Sequence, residues 1–345
     1  MSQQTIDDVK EYYGQTLETN EDLKTSACCP LEAPPKHVRD LLANVHEKVQ
    51  EKFYGCGSPV PLAVQGRTVL DLGCGSGRDA YILSQAVGEN GKVIGVDMTD
   101  EQLLVARQYL GWHMDKYGYE TPNVEFVQAY IEDLKTAGIA DNSVDVVISN
   151  CVINLSPNKE QVFKEIYRVL KPGGELFFSD VFAGRRIPEA LQKDKILLGE
   201  CLGGALYIED FRRMLQNIGL LDYRVLSGRP LTLDDPEVQV KAGMIDFYSM
   251  TVRAFKVDLE DICENYGHVA YYKGTLPECP HSFVLDNHHE FKTGLPVPVC
   301  GNTANMLLQS RFADHFRVEG DFSTHYGVFD CSSDAVAVAD DGVCC

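Results

Sequence analysis

Between Val69 and Asp97 the chain reads VLDLGCGSGRDAYILSQAVGENGKVIGVD. Val69–Leu72 is apolar almost throughout, as a strand covered on both faces must be. Gly73, Gly75 and Gly77 follow at once, and a missing Cβ lets the backbone turn tightly there and come close to a ligand. Asp79–Ala86 then reads as a helix, and Lys92–Asp97 as a second strand that ends in an acid. A carboxylate about twenty residues past a glycine turn is placed to accept hydrogen bonds from ribose hydroxyls. A nicotinamide site looks similar, but it spaces its last glycine later, as G-x-G-x-x-G.

Sulfur is the second chemical feature. The chain has 12 cysteines and no C-x-x-C pair, so a zinc ribbon or finger is not indicated. Cys28 and Cys29 are adjacent, and neighbours on an extended chain point opposite ways, so both cannot be core. Cys56 lies in a glycine-flanked loop, KFYGCG, just before the first strand. Cys151 follows the strand Val144–Ser149 and Asn150, outside a carboxyl end, where open α/β sheets bind ligands. Cys201 sits in GECLGGAL, where neighbouring glycines would let the backbone crowd a ligand. Burial as small apolar filler is the ordinary alternative for any one of these thiols.

The elements that must position these residues alternate strand and helix. Val38–Lys48 has helical spacing, and Thr99 with Gln102 fits a capping box for a helix running to about Tyr117. Val124–Gln128 is a third strand, with Ile131 and Glu132 at its exit. Ser156-Pro157 can cap the helix Lys159–Leu170, the KPGG turn follows, and Glu175–Phe182 is a fifth strand. Arg186–Gly219 reads as mostly helical, and Tyr223–Ser227 and Tyr248–Lys256 as a closing pair of strands. The fold class expected is α/β, a Rossmann-like sheet with helices on both faces and a small C-terminal α+β domain. Its parts are an N-terminal segment with thiol loops (1–60), a main domain (61–257) with a helical insert near 184–220, a small domain (258–330) and a disordered tail (331–345).

Bulk composition narrows the partners. Among 345 residues, 31 are Lys or Arg and 51 are Asp or Glu, a formal charge of −20. That field repels nucleic acid, and no basic cluster offsets it. The polar, acidic first residues do not read as a secretory leader, and no apolar run approaches a membrane span. A cytoplasmic monomer is expected. Cys263, Cys279, Cys300 and Cys331, with His281, His288 and His289, lack metal-ligand spacing.

The DLGCGSG form resembles the first motif of class I S-adenosylmethionine (SAM) methyltransferases. Together the Cys28-Cys29 loop, KFYGCG, DLGCGSGRD, NCVINLSP and GECLGGAL resemble the arsenite SAM methyltransferases over nearly the whole chain. The resemblance implies SAM as methyl donor, with cofactor positions at Tyr54, Asp71, Gly73, Cys74, Gly75, Gly77, Asp97, Met98, Ile131, Glu132 and Asn150. It implies Cys28, Cys56, Cys151 and Cys201 as the working thiols, with Cys56, Cys151 and Cys201 holding arsenic. Arsenite and methylarsenite are then the substrates. The implied redox pair is Cys28 with Cys56, restored by thioredoxin or glutathione.

The chemistry is coherent with that resemblance, because soft trivalent arsenic prefers soft thiolates. Two other readings remain at this stage. A methyltransferase of a small organic acceptor, such as a quinone or sterol, would explain the sheet but leave the thiols as filler. A non-enzymatic thiol sequestrant would explain the thiols but not the glycine turn.

Overall fold

The computed structural model describes residues 34–53, 55, 57 and 59–331. Its main sheet is built from β1 (Thr68–Leu72), β2 (Lys92–Asp97), β3 (Val124–Gln128), β4 (Val144–Asn150), β5 (Leu170–Ala183), β6 (Leu206–Tyr207), β7 (Tyr223–Pro230) and β8 (Phe247–Phe255). The order is β3-β2-β1-β4-β5-β8-β7, with β6 paired to β5. Strands β1 to β5 run parallel, and β8 is antiparallel to both β5 and β7. The strand order reverses between β1 and β4, so the connections leave the sheet in opposite directions and open a crevice at the carboxyl ends. Leu72 pairs with Ser149, which sets Gly73 and Asn150 side by side at that mouth.

Several local expectations shift by a residue or change partner. The helix after β2 is two helices, Asp100–Gln108 and Leu110–Tyr117, broken where Tyr109 leaves helical geometry (φ −99°, ψ 7°). Thr99 is the N-cap without a side-chain cap bond. Asp97 Oδ1 accepts from Thr99 N instead, at 2.8 Å. Asn158, not Ser156, caps the helix Lys159–Val169 through Gln161 N, and Ser156 Oγ donates to Glu132. The region Val38–Lys48 divides into helices Lys36–Leu42 and Glu47–Gln50, the second capped by the His46 ring. The KPGG turn is absorbed into β5 as a register shift opposite Val144 and Val146.

The C-terminal part holds β9 (His268–Tyr272) between β12 (Pro296–Val299) and β13 (Phe316–Glu319), plus the hairpin of β10 (Ser282–Asp286) and β11 (His289–Lys292). Its aromatic core of Phe283, Phe291, Phe312 and Phe316 continues into Phe255 of β8. A fully buried charge cluster crosses the same junction. Glu175 of β5 accepts from Arg253 Nε of β8 at 2.5 Å and is in ionic contact with Arg311. Arg253 also donates to Leu285 O at 2.8 Å, and Arg311 to Leu62 O at 2.8 Å. Burial alone would push the Glu175 carboxyl up, but the two guanidiniums together hold it below its ordinary value.

Removing that carboxylate strands two buried cations. Glu175→Gln is expected to cost about 3–5 kcal/mol of stability, as breaking a buried ion pair from one side does. The measurement is a urea titration, where the midpoint falls while the slope stays constant. A midpoint shift worth less than about 1 kcal/mol would show that the cluster does not join the two parts.

Candidate functional site

The crevice beyond β1 and β4 is a cleft lined by the glycine turn, the β2 exit, the β3 exit and the loop after β4. Asp71, Gly73, Cys74, Gly75, Asp97, Met98, Ile131, Glu132, Asn150 and Cys151 all line it. Gly73 has φ +71°, and a Cβ there would lie 2.3 Å from Val152, so only glycine lets the turn reach the Cys151 loop. Asp97 Oδ2 accepts from Gly75 N at 2.9 Å, tying the β2 exit to the turn. Asn150 is fixed from three sides: it donates to Asp79 at 2.8 Å and to Gly57 O at 3.0 Å, and accepts from Gly57 N at 3.2 Å.

The electrostatics of this cleft suit a cation. Burial, with Asp79 and Asp97 nearby, raises the Asp71 carboxyl well above its ordinary range. Burial also raises Asp97, against the pull of its bonds from Thr99 and Gly75. Asp71 Oδ2 is buried and without a hydrogen-bond partner among the described residues. Burial and the same acids push the Cys74 thiol up, so it lines the cleft as a neutral SH. A ligand with a ribose and a positive charge fits these acceptors, and SAM has both.

Sulfur meets the cleft on one side. Cys151, 3% exposed, and Cys201, 1% exposed, both have left-handed backbone, φ +58° and +61°. Non-glycine residues seldom adopt it, and each costs about 1–2 kcal/mol. The Cys201 thiol donates to the Cys151 carbonyl at 3.4 Å, across fifty residues of sequence. Gly204 explains the approach. Its absent Cβ would sit 1.9 Å from Asn154 O, so the glycines after Cys201 crowd the Cys151 loop, where a ligand had been expected. Asn154 is in turn held by Asp180, which accepts from its side chain at 2.7 Å and its backbone N at 3.2 Å.

Some expected positions move. Gly77 does not line the cleft. It starts the helix Arg78–Val87 with φ +88°, and a Cβ would press on Phe126 at 2.9 Å. Cys201 is packed behind the cleft wall with Leu197, Leu202 and Ile187. Cys151, expected as a free thiolate, is disulfide-bonded, whereas Cys201 is a free thiol. Cys28, Tyr54 and Cys56 lie outside the described residues.

Motif reading passed over Phe53, Asp79, Ser156, Lys159 and Asp180. Phe53 lines the cleft, and the Arg78 guanidinium stacks on its ring at 3.8 Å. Lys159 is lowered to about 8 by burial, opposed by Asp180, Glu132 and Cys201. Asp180 is raised to about 7 by burial. In sequence these are an ordinary first-turn lysine and one acid inside an apolar strand. Their only signal is that acid, buried in FFSDVF.

With this geometry in view, the likenesses to known proteins are direct. A "Methyltransferase domain" family profile matches residues 63–219, and an "Arsenite methyltransferase C-terminal domain" profile matches 266–340. An arsenite methyltransferase of Aquipseudomonas alcaligenes is 50% identical over 323 residues, 93% of each chain. The chain belongs to the arsenite methyltransferase family. The human arsenite methyltransferase is 45% identical over 312 residues, covering 90% of this chain and 83% of its own. The crystal structure of an arsenic(III) S-adenosylmethionine methyltransferase from Chlamydomonas reinhardtii matches with TM-score 0.83 and 51% identity, covering 86% of this chain and 100% of that one. Like other arsenite methyltransferases, this chain is a SAM-dependent enzyme. Among the described residues no helix is long and apolar enough to cross a membrane.

The left-handed backbone at Cys201 is itself testable. Removing the sulfur loses its contacts in any variant, but glycine alone also relieves the strain. Cys201→Gly is therefore expected to be about 1 kcal/mol more stable than Cys201→Ala. Chemical denaturation of the two variants gives the difference, and equal midpoints would dismiss the strain.

Proposed function

We propose that this protein methylates trivalent arsenic held by cysteine sulfurs at the mouth of the cofactor cleft. The observation that carries the reading is Cys151 and Cys201, from distant segments and both in left-handed backbone, with the Cys201 thiol bonded to the carbonyl of Cys151 at the cleft. Arsenite and its methylated trivalent products are the substrates. Cys151 and Cys201 serve as lasting sulfur ligands, and Cys56 as the third for inorganic arsenite. Asp97 accepts from the ribose, Asp71 faces the positive end of the cofactor, and Ile131 with Glu132 takes the adenine.

When bound, SAM supplies an electrophilic methyl on a positive sulfur, and the arsenic lone pair is the nucleophile that accepts it. An As–C bond forms, a C–S bond breaks, and the C–S electron pair stays on the departing sulfur. Arsenic thereby goes from the trivalent to the pentavalent state. Two thiolates return two electrons to it by joining as a disulfide, which a thioredoxin or glutathione system reopens. Cys28 with Cys56 is the pair for this exchange, and the disulfide at Cys151 must be reduced before that sulfur can bind arsenic. The sulfonium is already a good leaving group, so the residues act by alignment, which can supply as much as about 7–11 kcal/mol. The Lys159 ammonium, within electrostatic reach of Cys201, favours that sulfur as a thiolate. A cytoplasmic monomer completes the reading.

The decisive experiment gives purified protein SAM, arsenite and a thiol reductant, and follows methylated arsenicals by chromatography and mass spectrometry. Methylated products are expected from the wild type. Cys151→Ser and Cys201→Ser should fall at least about a hundredfold on both arsenite and methylarsenite, as loss of a positioning ligand does. Cys28→Ser and Cys56→Ser should stop the first methylation and spare the second, because methylarsenite has only two positions to fill. Full activity of Cys151→Ser on arsenite would sink the scheme.

Cofactor binding should carry a proton signature. Burial raises the Asp71 carboxyl, and a bound cation favours its ionised form. Affinity for SAM is therefore expected to fall as pH is lowered, with proton release on binding. Asp71→Asn should flatten that dependence, and Asp97→Ala should weaken binding about tenfold or more through the lost charged acceptor. Calorimetry in two buffers of different ionisation heat measures both. Equal proton release by the wild type and Asp71→Asn would remove Asp71 from this role.

A further inference from the structure

A second group of sulfurs lies in the C-terminal part, away from the cleft. Glu264 bridges Val328, Asn265 N donates to Gly327 O at 2.8 Å, and Phe329 N donates to Cys263 O at 2.8 Å. This short ladder sets Phe329 opposite Cys263, two residues before Cys331. The Cys263 thiol is within hydrogen-bonding reach of both Cys300 and Cys331. Arg224 Nη2 lies 3.9 Å from the Cys263 sulfur and 3.7 Å from that of Cys300. Cys300 is fully buried, and its sulfur caps the helix Gly301–Leu308 by accepting from Thr303 N at 3.4 Å. Cys263 and Cys331 are half-buried, so they are the pair a reagent can reach.

The charges around this group decide its chemistry. Arg224 is already matched by Asp222 at 2.7 Å and Asp286 at 3.4 Å, and Asp286 also holds the His289 ring at 2.8 Å. The guanidinium is therefore not free to convert the sulfurs to thiolates. Contact with Cys300 lowers the Cys263 thiol, but Cys331 and burial raise it further, to about 12. Contact with Cys263, then burial, raises Cys300 as well. Among the described residues no three His, Cys, Asp or Glu are arranged to hold a metal ion. What the group offers is two neighbouring, half-buried thiols.

We propose that Cys263 and Cys331 form a second thiol site, which takes up a trivalent arsenical bearing one organic group as its dithiolate. Such an arsenical has two exchangeable oxygens, matching two sulfurs. Two As–O bonds break and two As–S bonds form. Both thiol protons leave with the displaced oxygens as water, arsenic stays trivalent, and no oxidant or reductant is consumed. Methylarsenite belongs to this class, so the assignment rests on the arsenical reading of the cleft for its natural ligand. The capture chemistry itself does not depend on catalysis.

The test uses the full chain, reduced and desalted, with phenylarsine oxide as probe. Bound phenylarsenic is counted by intact mass, and the adduct is located by peptide mapping. Cys263→Ser and Cys331→Ser should each bind one equivalent fewer than the wild type, and the double variant should lose that same single equivalent. The map should show one arsenic joining the peptides of Cys263 and Cys331. Unchanged counts in either single variant, or an adduct mapped only to other cysteines, would overturn the proposal. The same comparison in a Cys151→Ser, Cys201→Ser background separates the two sites. Loss of the equivalent there, with no methylation by the wild type, would leave this site standing and the proposed reaction refuted. Methylation without any Cys263-dependent equivalent would do the reverse.

Discussion

Two sulfurs from segments fifty residues apart can share one space only if their backbones touch, and a bare glycine permits that touch. A side chain at Gly204 would occupy the position of the Asn154 carbonyl. Asn154 cannot retreat, because Asp180 holds both its amide side chain and its backbone N, and its side chain also donates to Val181 O at 2.6 Å. With the insert pressed against this loop, Cys201 and Cys151 both take left-handed backbone. Strain of this kind persists only where surrounding bonds over-determine it. Here those bonds are identified: the Asp180 carboxylate, the Asn154 amide and the missing side chain at Gly204.

The cofactor side of the cleft has a different logic. Asp71, Asp79 and Asp97 gather at the carboxyl ends of β1 and β2 and the start of the helix after β1, and after burial the other two raise the Asp71 carboxyl. Asp79 is relieved by Arg78 at 2.9 Å and by Asn150, Asp97 by the Gly75 and Thr99 amides, and Asp71 has the orphan oxygen.

How far this could be read in advance follows from what each feature writes into the chain. The glycine turn, the acid ending β2 and Cys151 after β4 are set by short-range pattern and by the rule for open α/β sheets, and all three appear in the cleft. The antiparallel closing pair was legible from its apolar runs. Caps were less so, because Ser, Thr, Asn and Asp at a helix start compete for the same amides, and Asp97 and Asn158 outcompeted Thr99 and Ser156. Gly204 admits the Asn154 backbone rather than a ligand. A glycine announces that something comes close, without saying whether it is ligand or backbone. Lys159 and Asp180 were silent because burial made them distinctive, and burial is a tertiary property.

Strand β5 ties these features together. At its start Glu175 anchors the arginines of β8 and of the C-terminal part. Four residues on, the Ser179 carbonyl accepts from Cys151 N at 2.8 Å, and the Ser179 hydroxyl bonds Thr251 of β8 at 2.8 Å. The next residue, Asp180, fixes Asn154. One buried strand thus carries the anchor for the C-terminal part, the backbone support for one sulfur and the acid that seats the other. The interior is close-packed and transmits displacement rather than absorbing it. The C-terminal part is anchored on the same strand that supports the loops carrying Cys151 and Cys201.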